Sequence, residues 1–446
     1  MSHPRERVPE PTHRSLSRRD FLRRTAGAAV ALPSLGVLLD ACTKPGSTPT
    51  GGSSVTVGTG GISSAASPYP LARQDKPVTW NIFDDNPAIK SGLQPEKNAV
   101  LQIYNWDQYV YKPVVQRFCQ KYGCTYKITT FENMDEALSK MQKNNGLNFD
   151  VFFPTIDTVG KLVAGKLILP LNKDYIPNLA SQVWPVYSNP YYDQQAQYTV
   201  PYTVYTTGIG YRRDVIPDAQ IRGMSNPYDI LWDPTYNHEV GVYDSYRDAM
   251  GMTMLRRGET DLNTTDPKLI TQAGDDLKQL TNLVSVQTTI NGAYNGIPTG
   301  QFQLHQAWSG DMIGAWSYTP KPLMSEYETL GYWFPENRKG NIDNDLITVP
   351  SSSQNPVLGH LFLNFMLEFK NAMDNFSWVG YQPPQIKADP ETLTTTNSIQ
   401  GQPYVFPWMK DAVTREEDFK LGYTEDELTP AVDQLYHTAW SDFKSG

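Results

Sequence analysis

The chain carries little of what enzymes use. It has three cysteines and six histidines in 446 residues, and it contains no Gly-x-Ser-x-Gly elbow, no His-Glu-x-x-His pair, no phosphate-cradling glycine loop with a lysine and no dinucleotide fingerprint. Gly208-Ile209-Gly210 begins such a fingerprint, but Arg213 stands where its third glycine belongs. Beyond position 41 the histidines are His238, His305, His360 and His437, scattered without metal-ligand spacing. These absences predict a protein that is not an enzyme and has neither cofactor nor metal centre. Positive charge is in deficit as well: the formal net charge is −9, which argues against nucleic acid and against anionic lipid as partners.

What is present begins with an address. Arg18-Arg19, followed by Phe21-Leu22, sits in a polar segment ahead of an apolar stretch at 26–39. That order is a signal peptide's order, and the arginine pair matches the twin-arginine export pattern of bacteria. The apolar stretch is 14 residues long and is interrupted by Gly27, Pro33 and Gly36, short of the roughly 20 residues that a membrane-spanning helix needs. Leu38-Leu39-Asp40-Ala41-Cys42 resembles a lipobox, so residues 1–41 are expected to be removed and Cys42 to be lipidated, anchoring the chain outside the cytoplasm. Removal takes away seven Lys/Arg and four Asp/Glu, leaving 31 basic against 43 acidic residues.

From 42 to 77 the composition is Gly, Ser, Thr and Pro with almost no large apolar residue, a stretch expected to be a disordered tether. Residues 78–98 hold Trp80, Ile82 and Phe83, enough to dock on the folded body. The body is long enough for two lobes. It opens with a strand at 100–106, a helix at 113–120, a strand at 125–130, a helix at 134–143 and an apolar strand at 149–154. After a gap come a strand at 239–243, helices at 246–256 and 267–285, a strand at 306–308 running into a helix at 311–316, a strand at 346–349 and a helix at 358–369. Alternating elements with strands apolar on both faces predict an α/β fold built on parallel sheet. Cys119 and Cys124 flank a turn, and a small disulfide loop or two free thiols fit equally well.

In such sheets ligands sit beyond strand ends, where Trp106-Asp107, Thr155-Ile156-Asp157, Asp244-Ser245, Ser309-Gly310 and Asp343-Asn344-Asp345 fall. Trp, Tyr and Asp recur there. Carboxylates would pair with a buried ammonium, and aromatic faces would wall an aliphatic chain and attract its charge. Two other chemistries have a foothold. The pairs Asp343/Asp345 and Asp244/Asp248 could serve an exported hydrolase, and Tyr191-Tyr192 could ligate iron(III), although 188–197 reads as a polar surface loop.

Five segments together resemble a known family. They are Tyr104-Asn105-Trp106-Asp107-Gln108-Tyr109-Val110, Phe149-Asp150-Val151-Phe152-Phe153-Pro154-Thr155, Val200-Pro201-Tyr202, Asn263-Thr264-Thr265-Asp266-Pro267 and Gly380-Tyr381-Gln382-Pro383-Pro384. In this order they resemble the spermidine/putrescine-binding proteins of bacterial polyamine ABC transporters. The resemblance implies a type II periplasmic-binding-protein-like fold, two α/β lobes joined by crossing hinge strands, with 99–204 plus 345–389 in lobe 1 and 205–344 plus 390–446 in lobe 2. It implies a monomeric substrate-binding protein that hands its ligand to permease and ATPase subunits. Its ligand would be a small cationic solute, putrescine or spermidine first, or else another amine, an amino-acid derivative or a sugar.

Carried over residue by residue, Trp106, Tyr109, Trp308, Asp345 and Asp248 match the family's ligand contacts. Thr155 and Asp157 stand where the family commonly has Ser-Thr-Tyr, which exchanges a ring for a carboxylate. Asp343 replaces a tryptophan and Ser245 an aspartate, so ligand length and geometry are expected to differ within the ligand-binding set Trp106, Tyr109, Thr155, Asp157, Asp248, Trp308, Asp343 and Asp345.

Overall fold

The computed structural model describes residues 67–143, 148–319 and 327–446; the export signal, Cys42 and most of the expected tether lie outside them. Its first sheet has the order β2-β1-β3, with β1 Val100–Trp106, β2 Thr125–Phe131 and β3 Val151–Phe152 all parallel. Leu101 and Ile103 of β1 point alternately with Tyr104 into fully buried surroundings, as a strand covered on both faces requires. The helix Lys112–Tyr122 covers one side through Val114, Val115 and Phe118 and ends on Gly123, whose φ of 69° is the left-handed conformation glycine adopts without penalty. Next to it, the sulfurs of Cys119 and Cys124 stand 3.0 Å apart as free thiols.

The second sheet departs from the parallel expectation. Its order is β6-β5-β7-β4-β8, with β9 also pairing β4. Here β4 is Val200–Arg212, β5 Val240–Val242, β6 Gln287–Thr288, β7 Leu304–Trp308, β8 Leu330–Trp333 and β9 Asn341–Ile347. Only β5 runs parallel to β6 and β7; β4 is antiparallel to β7, β8 and β9. The reason is β4 itself, 13 residues long, which enters the second sheet from the first and so runs against the strands already there. Gly208 lets it do so: a Cβ there would lie 2.2 Å from the Trp333 carbonyl oxygen.

The β4–β9 ribbon joins the two halves. Its early end, Val200 opposite Ile347, continues the first sheet through the Phe152–Thr348 bridge. Its late end, Thr207 opposite Asn341, belongs to the second. A third crossing lies beside it, where the Val204 N–H donates to the Gln382 carbonyl at 2.8 Å. Helices Tyr246–Arg256, Pro267–Val284 and Pro430–Ser445 pack on the second sheet around Met250, Leu277 and Tyr436. Asp266 caps the second of these by accepting from the Lys268 N–H.

Residues 67–77 differ from the expected tether, because they are packed on the body. Tyr69 donates to Glu427 at 2.6 Å, and Arg73 reaches the Glu427 carbonyl at 2.8 Å. The next residues dock on the first half: Val78 pairs with Tyr191 and Gln194, and the Trp80 indole donates to the Tyr192 carbonyl. Ile82 stays exposed. The 188–197 stretch is likewise no surface loop. Tyr192 and Asp193 are buried, because the Asp193 carboxylate takes three backbone N–H groups and the Thr199 hydroxyl.

Candidate functional site

Strand alternation builds the floor of the site. On β9, Asn341, Asp343 and Asp345 face one side and Ile342, Asn344 and Leu346 the other. Opposite them on β4 stand Thr207, Tyr205 and Thr203, so one face of the hinge ribbon shows two carboxylates and an amide beside two hydroxyls and a phenol. Tyr109 donates to Asp345 Oδ2 at 2.7 Å and shares a hydrogen bond with the Thr203 hydroxyl. Thr155, just beyond β3, forms a backbone bridge with Asp345, and its hydroxyl donates to Asp157.

The opposite wall comes from the second half. Asp248, near the start of the helix Tyr246–Arg256, accepts from the Trp308 indole N–H at 2.8 Å and from Ser245 at 2.7 Å. The Trp308 ring stacks on Tyr243 with centroids 3.8 Å apart. Tyr243 in turn donates to Asp311 at 2.6 Å, and Tyr381 donates to the other Asp311 oxygen at 2.7 Å. Gly310 makes room for that ring, since a Cβ there would lie 2.3 Å from Tyr381 Cγ.

Of the eight residues singled out in the sequence, the structure ties Tyr109, Thr155, Asp157 and Asp345 together on the first half and Asp248 and Trp308 on the second, with Asp343 on the ribbon between. Trp106 is tied instead to Phe131 of β2, 4.7 Å ring to ring, and its indole N–H has no partner among the described residues. Asp244 lies outside, paired with Lys444 on the surface, so the Asp244/Asp248 pair does not converge. The Tyr191 and Tyr192 hydroxyls are engaged by Asp426 and Asn344, and no group of three metal-ligating side chains occurs among the described residues.

Sequence reasoning missed Tyr205, Tyr243, Asp311, Tyr381, Arg247 and Glu425. Tyr381 lies in a segment that carries the family resemblance, and Glu425 opens the acidic run Glu425-Asp426-Glu427.

The electrostatics of the site are one-sided. Burial pushes the Asp345 carboxyl up to about 7, against the Tyr109 and Tyr205 hydroxyls and helped by the Asp157 and Asp248 charges. Burial likewise takes Asp311 to about 7 and raises Asp248. Asp343 and Glu425 are driven well above the usual carboxylate range, first by burial and then by neighbouring carboxylates. Among the described residues none of these five carboxylates has a Lys, Arg or His nitrogen within 4.0 Å. A set of carboxylates held without basic partners among aromatic rings is suited to a cation with an apolar body.

Fold and site together define a two-lobed α/β solute receptor. The profile of the bacterial extracellular solute-binding protein family matches residues 114–400, and the chain belongs to that family. It is 25% identical over 299 residues to the spermidine/putrescine-binding periplasmic protein of Salmonella typhimurium, covering 67% of this chain and 81% of the relative. To the putrescine/cadaverine-binding protein of Pseudomonas aeruginosa it is 25% identical over 361 residues, 77% of this chain and 93% of the relative. Among solved structures, a putative spermidine/putrescine ABC transporter protein from Listeria monocytogenes superposes with a TM-score of 0.64 at 24% identity, covering 77% of this chain and 98% of that one. The fold is that of type II periplasmic binding proteins. Among the described residues no helix is long and apolar enough to cross a membrane.

Proposed function

We propose that this protein is the lipid-anchored substrate-binding component of an ABC importer and that it binds a small aliphatic polyamine, of the putrescine and spermidine class, between its lobes. The observation that carries the reading is the set of buried carboxylates, Asp248, Asp311, Asp343 and Asp345, that have no basic partner within 4.0 Å among the described residues and stand among Tyr109, Tyr205, Trp308 and Tyr381. An ammonium supplies the missing counter-charge and up to three N–H donors. The rings cover the methylenes between ammonium groups and add about 0.5–2 kcal/mol per cation–π contact. Thr155 and Asp157, approaching from beyond β3, meet the ligand when the hinge ribbon brings the halves together. Trp106 closes the first-lobe side.

The ligand is released to permease and ATPase subunits, and the protein performs no reaction itself. Removal of residues 1–41 and a lipid on Cys42 hold it at the membrane on its outer side. A short tether there keeps the receptor at high effective concentration beside its permease. Relatives named for spermidine, putrescine and cadaverine support the ligand class.

Calorimetry of the purified protein against a panel of linear amines tests the reading. Saturable binding of at least one polyamine in the micromolar range is expected, and no binding tighter than about 1 mM, roughly −4 kcal/mol, overturns it. A second reading is a zwitterionic amino-acid derivative, which Arg247 favours: it is buried, its charge acts on Asp248, and its Nε has no hydrogen-bond partner among the described residues. Arginine and ornithine belong in the panel for that reason.

A further inference from the structure

The helix Lys112–Tyr122 ends in a way that sets two cysteines face to face. Gly123, at a φ of 69°, turns the chain back on the helix, and the Gly123 and Cys124 N–H groups both donate to the Cys119 carbonyl, the latter at 3.1 Å. A bond from the second residue past the helix to the third residue before its last is the pattern of a left-handed glycine cap. That cap brings the two side chains together, a contact that is commonly apolar. Here both positions are cysteine, and the Cys124 thiol donates to the Cys119 sulfur at 3.0 Å. The chain resumes at once as β2: Thr125 lies opposite Val100, and its N–H donates to the Ala99 carbonyl at 2.9 Å. The pair therefore sits where the first covering helix joins the first sheet.

The two thiols differ in access. Cys119 is buried in the first core, whereas Cys124 is partly exposed. No group of three metal-ligating side chains occurs among the described residues, so the two sulfurs are not part of a metal site. Their separation is about 1 Å longer than a disulfide bond of about 2.05 Å, and a small side-chain movement closes it. Burial raises both thiols. For Cys124 the hydrogen bond with Cys119 works against that rise, because the Cys119 S–H can donate to a Cys124 thiolate. Access and hydrogen bonding thus both make Cys124 the sulfur that reacts first.

We propose that Cys119 and Cys124 are an oxidation site that closes into a disulfide once the folded chain is outside the cytoplasm, locking the end of this helix to the start of β2. The oxidant carries a disulfide of its own, that of a thiol–disulfide oxidoreductase or of oxidised glutathione. Cys124, as thiolate, attacks one sulfur of that disulfide and releases the other as a thiolate. Cys119 then gives its proton to solvent and attacks the Cys124 sulfur, which forms the Cys119–Cys124 bond and expels the second thiolate. The two cysteines lose two electrons and two protons, and the oxidant's disulfide becomes two thiols. The helix cap places the sulfurs before any bond forms, so a chain exported in the folded state is oxidised without rearrangement. The site rests on the extracytoplasmic location in the reading above and is independent of the ligand.

The test is maleimide trapping of denatured protein taken directly from cells, followed by mass spectrometry of the peptide that holds both cysteines. The unaltered chain is compared with one kept in the cytoplasm by Arg18→Lys and Arg19→Lys. In the exported chain both positions are expected to resist maleimide until reduced, with a peptide about 2 Da lighter than the dithiol; in the retained chain both are expected to be labelled. Two labelled thiols in the exported chain overturn the proposal. Purified Cys42→Ala protein, given about a tenfold excess of oxidised over reduced glutathione, separates the site from its location. Closure there in a chain that cells fail to export supports the site and overturns the location alone, whereas two labelled thiols there overturn the site. Reduction of the closed form is expected to lower its melting temperature by about 2–5 °C. In the same Cys42→Ala background, Cys119→Ser and Cys124→Ser are expected to melt alike with and without reductant. Equal melting of the closed and reduced forms overturns the lock on the helix end.

Discussion

Tyr243 joins the two sides of an aromatic and acidic corner: its ring lies on Trp308 at an interplanar angle of 16°, and its hydroxyl accepts from the Trp308 backbone N–H at 2.8 Å while donating to Asp311. One side chain therefore fixes both the ring that would cover a ligand's methylenes and the carboxylate that would receive an ammonium.

Tyr243→Phe keeps the stack and removes the hydroxyl. It leaves an Asp311 oxygen and the Trp308 N–H without their partner, a cost of about 1–3 kcal/mol. Weaker polyamine binding by about tenfold is expected, with near-ultraviolet circular dichroism of the Trp308 region retained. Unchanged affinity in calorimetry would show that Asp311 is not held for the ligand.

Asp345→Asn removes one charge of a buried pair and is expected to cost about 2–5 kcal/mol of binding. Tyr109→Phe, which leaves the carboxylate but not its donor, is expected to cost less, about 1 kcal/mol. The order of the two losses in titration calorimetry separates charge pairing from positioning.

The pH response follows from the raised carboxyls. With Asp345 and Asp311 at about 7 in the fold against about 3.9 in an unfolded chain, the folded protein binds more protons than the unfolded one between about pH 4 and 7. Stability of the unliganded protein therefore falls as pH rises through that window. A bound ammonium reverses the preference and needs the ionised forms. Affinity is expected to rise from about pH 5.5 to 8 with release of protons, measurable in buffers of different ionisation enthalpy.

The segment 67–77 is a strap on the folded body. Gly160 leaves room for it, since a Cβ there would come 2.3 Å from Glu427 Oε2 and 2.9 Å from Tyr69 Cε2. Gly160→Val is expected to lower stability by about 1–3 kcal/mol through overpacking, and Tyr69→Phe by about 1 kcal/mol, because Glu427 stays buried without its donor. Thermal melts of the two variants check this.

Replacing Arg18 and Arg19 together with lysine is expected to retain the protein in the cytoplasm. Cys42→Ala is expected to move it from the membrane fraction to the soluble extracytoplasmic fraction. Fractionation followed by immunoblotting distinguishes the two effects.

The helices Met134–Lys143 and Tyr246–Arg256 and the strand Val100–Trp106 were determined by the sequence itself, because each is a local pattern of charge, apolar period or capping. Tertiary structure decided the rest of the site. Asp343 and Asp345 read as the polar start of a strand at 346–349, since aspartate is depleted in strands; they are in fact in the middle of β9, paired to β4. The Val, Tyr, Thr and Ile of β4 are residues enriched in strands, but that this one strand borders both sheets is decided only by its pairing to β9, β7 and β8. Asp311, Tyr381 and Glu425 are separated by tens of residues from one another and from Asp248. Whether a carboxylate is a solvated loop charge or a buried one waiting for a counter-ion depends on burial by distant segments, a property that no stretch of sequence contains.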